Sequence, residues 1–249
     1  MKILSLQPSV SLVLRSLGRL DWLVGCTRYC LEAVPELRQR GLAVVRDSWS
    51  SETAEIAALR PDLVIASVPY RRESLAAILQ AGVPVLALAP HRLADIYADI
   101  RLIGAVVDAA ACAERIVAGM ESAIAEAAAV SASLLRKPLV YCEEWGKPLI
   151  HSQPWVKELV EAAGGVFLSE AGKVTTAEAV AEADPDVMVL AWCGAGDRVP
   201  VERVIRMRGW QALKAARTGR VICIPDELLN TPAPTLIEGL NALKAAFRK

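Results

Sequence analysis

One pattern occurs twice in this chain, and the repetition narrows what it can fold into. Near the start, Met1-Lys-Ile-Leu-Ser-Leu-Gln-Pro-Ser9 runs into Val24-Gly-Cys-Thr27 and then Leu59-Arg-Pro-Asp-Leu-Val-Ile-Ala66. Past the middle, Lys137-Pro-Leu-Val-Tyr-Cys-Glu-Glu-Trp145 runs into Ala163-Gly-Gly-Val-Phe167 and then Ala183-Asp-Pro-Asp-Val-Met-Val-Leu-Ala191. Each half reads as an apolar strand, a helix, another strand, and a helix that ends in Pro-Asp ahead of a buried strand. Two such α/β lobes leave a cleft between them, the shape of a protein that grips a small molecule.

The short runs rich in Val, Ile and Leu at 3–6, 22–26, 63–66 and 83–88 read as strands buried on both faces, hence parallel. Helical patterns lie between them at 11–17, 53–59 and 72–80, and Pro61 and Pro84 each mark a helix end followed by a strand. From 108 to 135 the chain is Ala-rich and free of proline, with Gly119 its one glycine, and Ile116, Met120, Ile124 and Ala127 recur at helical spacing. This stretch is expected to be one long, stiff helix joining the lobes. The second lobe is expected to hold strands at 139–142, 166–168, 187–191 and 221–224, and helices at 154–163, 176–183 and 235–247. The fold class is therefore α/β: two Rossmann-like lobes with mostly parallel sheets and one long backbone helix. The divisions are 1–107 for the first lobe, 108–136 for the connector and 137–249 for the second lobe.

Bulk properties exclude several classes. A 54% hydrophobic fraction rules out global disorder, and a formal net charge of zero without basic runs argues against nucleic acid as a partner. No apolar stretch reaches the roughly 20 residues needed to span a bilayer, so no membrane insertion is expected. Residues 1–6 form a short apolar run broken by Gln7 and Pro8, unlike a secretion signal. The chain as given is expected to be either cytoplasmic or a mature form without its leader, and unpaired-looking cysteines fit a reducing compartment slightly better.

The order of motifs resembles the periplasmic-binding-protein-like substrate-binding proteins of ABC importers for cobalamin, ferric siderophores and haem, in which one backbone helix joins the lobes. The cobalamin-binding branch is the nearest likeness. The residues that carry it are Ser5-Leu-Gln-Pro-Ser9, Val24-Gly-Cys-Thr27 with Cys30, Arg60-Pro-Asp-Leu-Val64, Cys142-Glu-Glu-Trp145, Trp155 to Gly165, Asp184-Pro-Asp186, Cys193-Gly194, Arg208-Gly-Trp210, Gly219-Arg-Val221 and Pro234 to Gly239. They cover nearly the whole chain and are more specific for the fold than for the cargo. Arg28, in Thr-Arg-Tyr-Cys, departs from the cobalamin branch. The resemblance implies an extracytoplasmic protein, periplasmic or membrane-tethered, that works as a monomer with an ABC permease. It also implies that surface acids of the two lobes, here Glu73 and Glu202, dock onto that permease.

In open α/β sheets, ligands sit beyond the carboxyl ends of the strands. Pro8 and Ser9 stand there, as do Tyr29, Tyr70, Trp145 and Trp192, with Trp49 and Trp155 in or beside loops. Aromatic side chains offer large, stiff faces with a polar tip, suited to a flat macrocycle such as a corrin or porphyrin. Any one of them could instead close the core; four at strand ends favour the cleft. His151, just ahead of the helix at 154–163, is a candidate axial ligand for the metal of a bound chelate, against the plainer reading of a solvated loop histidine. His91 faces the same choice with less support. Cys193 reads as pocket lining, and Asp226 as a hydrogen-bond acceptor for the ligand. Of Glu143 and Glu144, adjacent on a strand, one is expected to face the cleft. The cysteines lack a Cys-x-x-Cys spacing, so no zinc site is expected.

The expected function is non-catalytic: binding of a cobalamin-like or other metal-chelate ligand in the cleft, with no catalytic cofactor and no catalytic residue. A ferric siderophore or haem is the first alternative, with Arg28, Arg71 and Arg72 as partners for an anionic chelate. A cytoplasmic protein that stores, senses or hands over a cofactor is the second.

Overall fold

The computed structural model describes residues 1–248. It divides into two compact units: Met1–Val117 with Pro232–Pro234, and Ala118–Thr231 with Thr235–Lys249. Among the described residues no helix is long and apolar enough to cross a membrane.

The first unit contains β1 (Ile3–Ser5), α1 (Pro8–Ser16), β2 (Leu23–Thr27), α2 (Arg28–Ala33), β3 (Ala43–Val45), α3 (Thr53–Leu59), β4 (Leu63–Ser67), α4 (Arg72–Gln80), β5 (Val85–Leu88) and α5 (Leu93–Val106). Its sheet is wholly parallel, in the order β3-β2-β1-β4-β5. The first strand in sequence thus lies at the centre, buried on both faces, which is why it reads as an unbroken apolar run. One layer of core packs Leu4, Leu6, Val64 and Ala66 from the sheet against Ile56 and Ile78 from α3 and α4. Helix α6 (Ala110–Ala132) follows and crosses the division between the units. Helix α5, just ahead of it, lay outside the sequence reading.

The second unit contains β6 (Leu139–Gly146), β7 (Leu149–His151), α7 (Pro154–Ala162), β8 (Val166–Phe167), β9 (Val174–Thr175), α8 (Ala177–Ala183), β10 (Val187–Leu190), α9 (Val201–Met207), α10 (Lys214–Arg217), β11 (Val221–Cys223), α11 (Asp226–Leu229) and α12 (Leu236–Phe247). Strands β10, β11 and β8 run parallel to the β6 direction. The last residues of β6 fold back into β7, which is antiparallel and pairs in turn with β9. The hairpin carries the strand beyond its expected end at Cys142 and places His151 on β7 instead of in a loop. Gly239 lets α12 lie against α11: a Cβ there would stand 1.9 Å from the Leu228 carbonyl oxygen.

The repeated Pro-Asp motif does the same work in both units. Helix α3 ends at Arg60 and α8 at Asp184, each in the left-handed region (φ 44° and 42°). The aspartate two residues on then turns back to the strand that opens its unit. Asp62 accepts from the Lys2 amide at 2.7 Å and Asp186 from the Leu139 amide at 2.9 Å. The amides of Asp62 and Asp186 return the bond, donating to the Lys2 and Leu139 carbonyls. Burial works against ionisation of Asp186. Hydrogen bonds from Lys214 and the Leu139 amide, with the charges of Lys214 and Arg136, outweigh it and hold the carboxyl below its usual range.

Asp186→Ala is therefore expected to destabilise the fold by about 1.5–3 kcal/mol at neutral pH, and the more exposed Asp62→Ala by less. A carboxylate with a depressed pKa stabilises above its unfolded pKa and loses that contribution as pH falls through the folded value. Urea unfolding at pH 7 and pH 3 should therefore show the Asp186→Ala deficit shrinking in acid.

Candidate functional site

At the strand ends of the first unit, the loop after β3 is stitched to the end of β1. The Ser48 amide and hydroxyl both reach the Leu6 carbonyl, and Asp47 accepts from the Ser50 hydroxyl at 2.6 Å. Pro8 occupies the first turn of α1, half-buried, while Ser9 is buried. Thr27 caps α2 through the Cys30 amide and sits beside buried Cys26 and Cys30. An open depression of about 280 Å³ lies here, lined by Thr27, Arg28, Tyr29, Arg46, Asp47 and Ser50 among others.

Among the described residues, three aromatic rings of this unit carry a cation each, Arg19 lying 5.4 Å from the centre of Trp22. Arg28 lies 4.6 Å over the Tyr29 ring and donates to its hydroxyl at 2.6 Å. Arg71 lies 5.9 Å over Trp49, whose side chain is 48% exposed. The Trp49 backbone is fixed by the Ser74 hydroxyl, which donates to its carbonyl. Tyr70 is half-buried and donates its hydroxyl to the Leu88 carbonyl at 3.1 Å; burial pushes that phenol up. His91 is exposed, and its backbone amide, with that of Arg92, donates to Asp95.

In the second unit Trp145 is 46% exposed and donates to the Lys147 carbonyl. Trp192 and Cys193 follow β10 on a turn held by backbone bonds. Cys193 is exposed. Asp226 accepts from the Gly194 and Gly196 amides at 2.9 and 3.0 Å, so both of its oxygens hold the turn that carries Trp192. Asp226, expected as a hydrogen-bond acceptor for the ligand, accepts here from the loop.

Two other candidates lie inside the unit. Trp155 is 3% exposed and donates to the Leu229 carbonyl at 2.9 Å, tying α7 to α11. His151 is 1% exposed on β7, edge-on to the Tyr141 ring at 5.2 Å and near Phe167. Neither ring nitrogen has a hydrogen-bond partner in the protein. Burial lowers its pKa, which the negative charge of Glu143 only partly opposes. The imidazole is thus a neutral core group that presents no nitrogen at the surface. Glu73 and Glu202 are exposed in the first turns of α4 and α9, with Arg71 3.8 Å from Glu73.

The centre of the second unit is a residue the sequence reading left open. Glu143 is 0% exposed and accepts four hydrogen bonds: from Tyr141 Oη at 2.5 Å, Trp192 Nε1 at 2.6 Å, and the Arg208 guanidinium at 2.6 and 2.9 Å. Arg208 lies between the rings of Trp192 and Trp210, 5.8 and 4.8 Å from their centres. The motifs Cys142-Glu-Glu-Trp145 and Arg208-Gly-Trp210 therefore meet. No local sequence signal links them: Glu143 has Glu144 beside it, and Arg208 lies in a stretch that also holds Glu202, Arg203 and Arg206. Glu144 points elsewhere and accepts from Gln153 Nε2 with both oxygens. Burial pushes its carboxyl up to about 7, with the Gln153 bonds pulling the other way.

Each unit thus carries aromatic faces and firmly bonded turns at its strand ends. The model of the periplasmic binding protein family matches residues 3–228, and the chain belongs to that family. It is 23% identical over 257 residues to a cobalamin-binding protein of Halobacterium salinarum, covering 99% of this chain and 69% of that one. It is 26% identical over 254 residues to YvrC, an ABC transporter substrate-binding lipoprotein of Bacillus subtilis, covering 97% and 78%. The periplasmic haem-binding protein RhuT of Roseiflexus sp. RS-1, in apo form, superposes with a TM-score of 0.84 at 25% identity, covering 99% of this chain and 97% of its own. The fold is that of the binding proteins whose two α/β lobes are linked by a backbone helix.

A carboxyl whose folded pKa exceeds its unfolded value stabilises fully below the unfolded pKa and loses that contribution as pH rises through the folded one. Glu144→Gln should match the parent's stability near pH 4.5 and exceed it at pH 8, with the difference developing through about pH 7. Urea unfolding of both proteins across this range checks it, and the titration of His151 cancels in the comparison.

Proposed function

We infer that this chain is the substrate-binding component of an ABC importer, that its cargo is a metal chelate built on a flat macrocycle, and that cobalamin is the first candidate. The observation that carries the reading is the set of accessible rings at the strand ends of each unit: Tyr29 and Trp49 in the first, Trp145 and Trp192 in the second. Flat, stiff rings bury a large apolar face at small entropic cost. Membership of the periplasmic binding protein family and the likeness to the Halobacterium salinarum protein support it. In this reading the chain binds and releases its ligand unchanged and acts outside the cytoplasmic membrane. Glu73 and Glu202 meet the permease, and α6 serves as the connector.

A second reading has its own observation. Arg28 and Arg71 lie over Tyr29 and Trp49, so the rings of the first unit come with positive charge. That favours an anionic chelate such as haem, with its carboxylates, or a ferric siderophore, and the likeness to RhuT agrees.

Titration with cyanocobalamin, haemin and a ferric hydroxamate, read by tryptophan quenching and by thermal shift, tests both. A bound ligand raises Tm by mass action. A response to cyanocobalamin at micromolar concentration supports the first reading; silence with all of them removes both. Arg28→Ala/Arg71→Ala is expected to weaken an anionic chelate about tenfold or more and flatten its salt dependence, while leaving cyanocobalamin binding within about threefold.

A further inference from the structure

We propose that Glu143, held by Arg208, is a positioning residue that fixes the Trp192 indole as a preset face for the flat ring system of the ligand; the inference deepens the function proposed above and rests on it. Trp192 is half-buried, and three constraints act on it. Its one polar atom, Nε1, donates to Glu143 Oε1 at 2.6 Å. The Arg208 guanidinium stands 5.8 Å from the ring centre and donates to both Glu143 oxygens and to the Gly146 carbonyl. The indole also lies directly against the backbone of β6: a Cβ on Gly146 would stand 2.6 Å from Trp192 Cζ2.

The backbone of Trp192 is constrained as well. The Cys193 amide donates to the Glu144 carbonyl, and Asp226 holds Gly194 and Gly196. The indole therefore keeps no unsatisfied donor and no free rotation, and its exposed part offers ligand only carbon. A ring frozen before binding loses little entropy when the ligand arrives. A buried ion pair is, by contrast, a weak source of stability, since apolar residues of equal volume often serve as well or better. Orientation of Trp192 is what this pair supplies that apolar packing does not.

Two double variants separate orientation from stability, because neither leaves a buried charge unpaired. Glu143→Gln/Arg208→Met keeps an amide oxygen to accept from Trp192 Nε1. Glu143→Leu/Arg208→Met removes the acceptor. Urea unfolding establishes that each folds, and the emission of Trp192 alone is obtained by subtracting the spectrum of the same background carrying Trp192→Phe. The Gln variant is expected to keep the parent's Trp192 emission maximum and anisotropy, and to bind haemin or cyanocobalamin within about threefold of the parent. The Leu variant is expected to show a red-shifted, less anisotropic Trp192 and about tenfold weaker binding. Gly146→Ala, which fills the indole's seat with the ion pair intact, should also weaken binding by about that factor. Unchanged Trp192 emission and affinity in the Leu variant and in Gly146→Ala overturn the proposal. If the parent binds neither ligand, the functional reading fails by itself, and Trp192 emission in the free protein still decides the positioning role.

Discussion

A carboxylate without solvent contact must find its charge and hydrogen-bonding partners inside the protein, and Glu143 sets that condition for the second unit. Four donor groups on three residues meet it: Tyr141 on β6, Trp192 in the loop after β10, and Arg208 at the end of α9. Removing one partner would leave a buried charge exposed to an apolar surround, a change that typically costs about 3–5 kcal/mol. The guanidinium also lies beside Trp210, which packs in the same core as Tyr141, Met188 and Leu190. The electrostatic centre and the apolar core of this unit are thus one assembly, and the half-buried Trp192 ring is its outer edge.

The first unit reaches a similar end by other means. Its buried polar groups near the strand ends include the hydroxyls of Ser5, Ser11 and Thr27. Arg28 and Arg71 stay at the surface, where they lie over the rings of Tyr29 and Trp49. Burying the ion pair in one unit and exposing the arginines in the other gives the two units different chemical faces on similar sheets.

Much of the fold was legible because its signals are local. Buried parallel strands leave continuous runs of Val, Ile and Leu, and helices leave a 3.6-residue period. The Pro-Asp pairs at 61–62 and 185–186 marked equivalent joints, and both aspartates bond the strand that opens their unit. The β7 hairpin and α5 were missed. The expectations also hold no counterpart of α2, β3, β9, α9, α10 or α11; apart from α5, these elements span seven residues or fewer, too short for a period to show.

Sequence alone determined the two-lobed α/β plan, a long helix within 108–135 and the concentration of aromatic residues at strand ends, because each follows from the order of neighbouring residues. Only the tertiary structure decided which of those residues are available to a ligand. His151 and Trp155 look like site residues in the chain and are core residues in the fold. Asp226 spends its oxygens on a turn. Glu143 and Arg208 stand 65 residues apart and pair only once β6 and α9 are packed. Burial and pairing belong to contacts between distant segments, and the local pattern of side chains does not encode them.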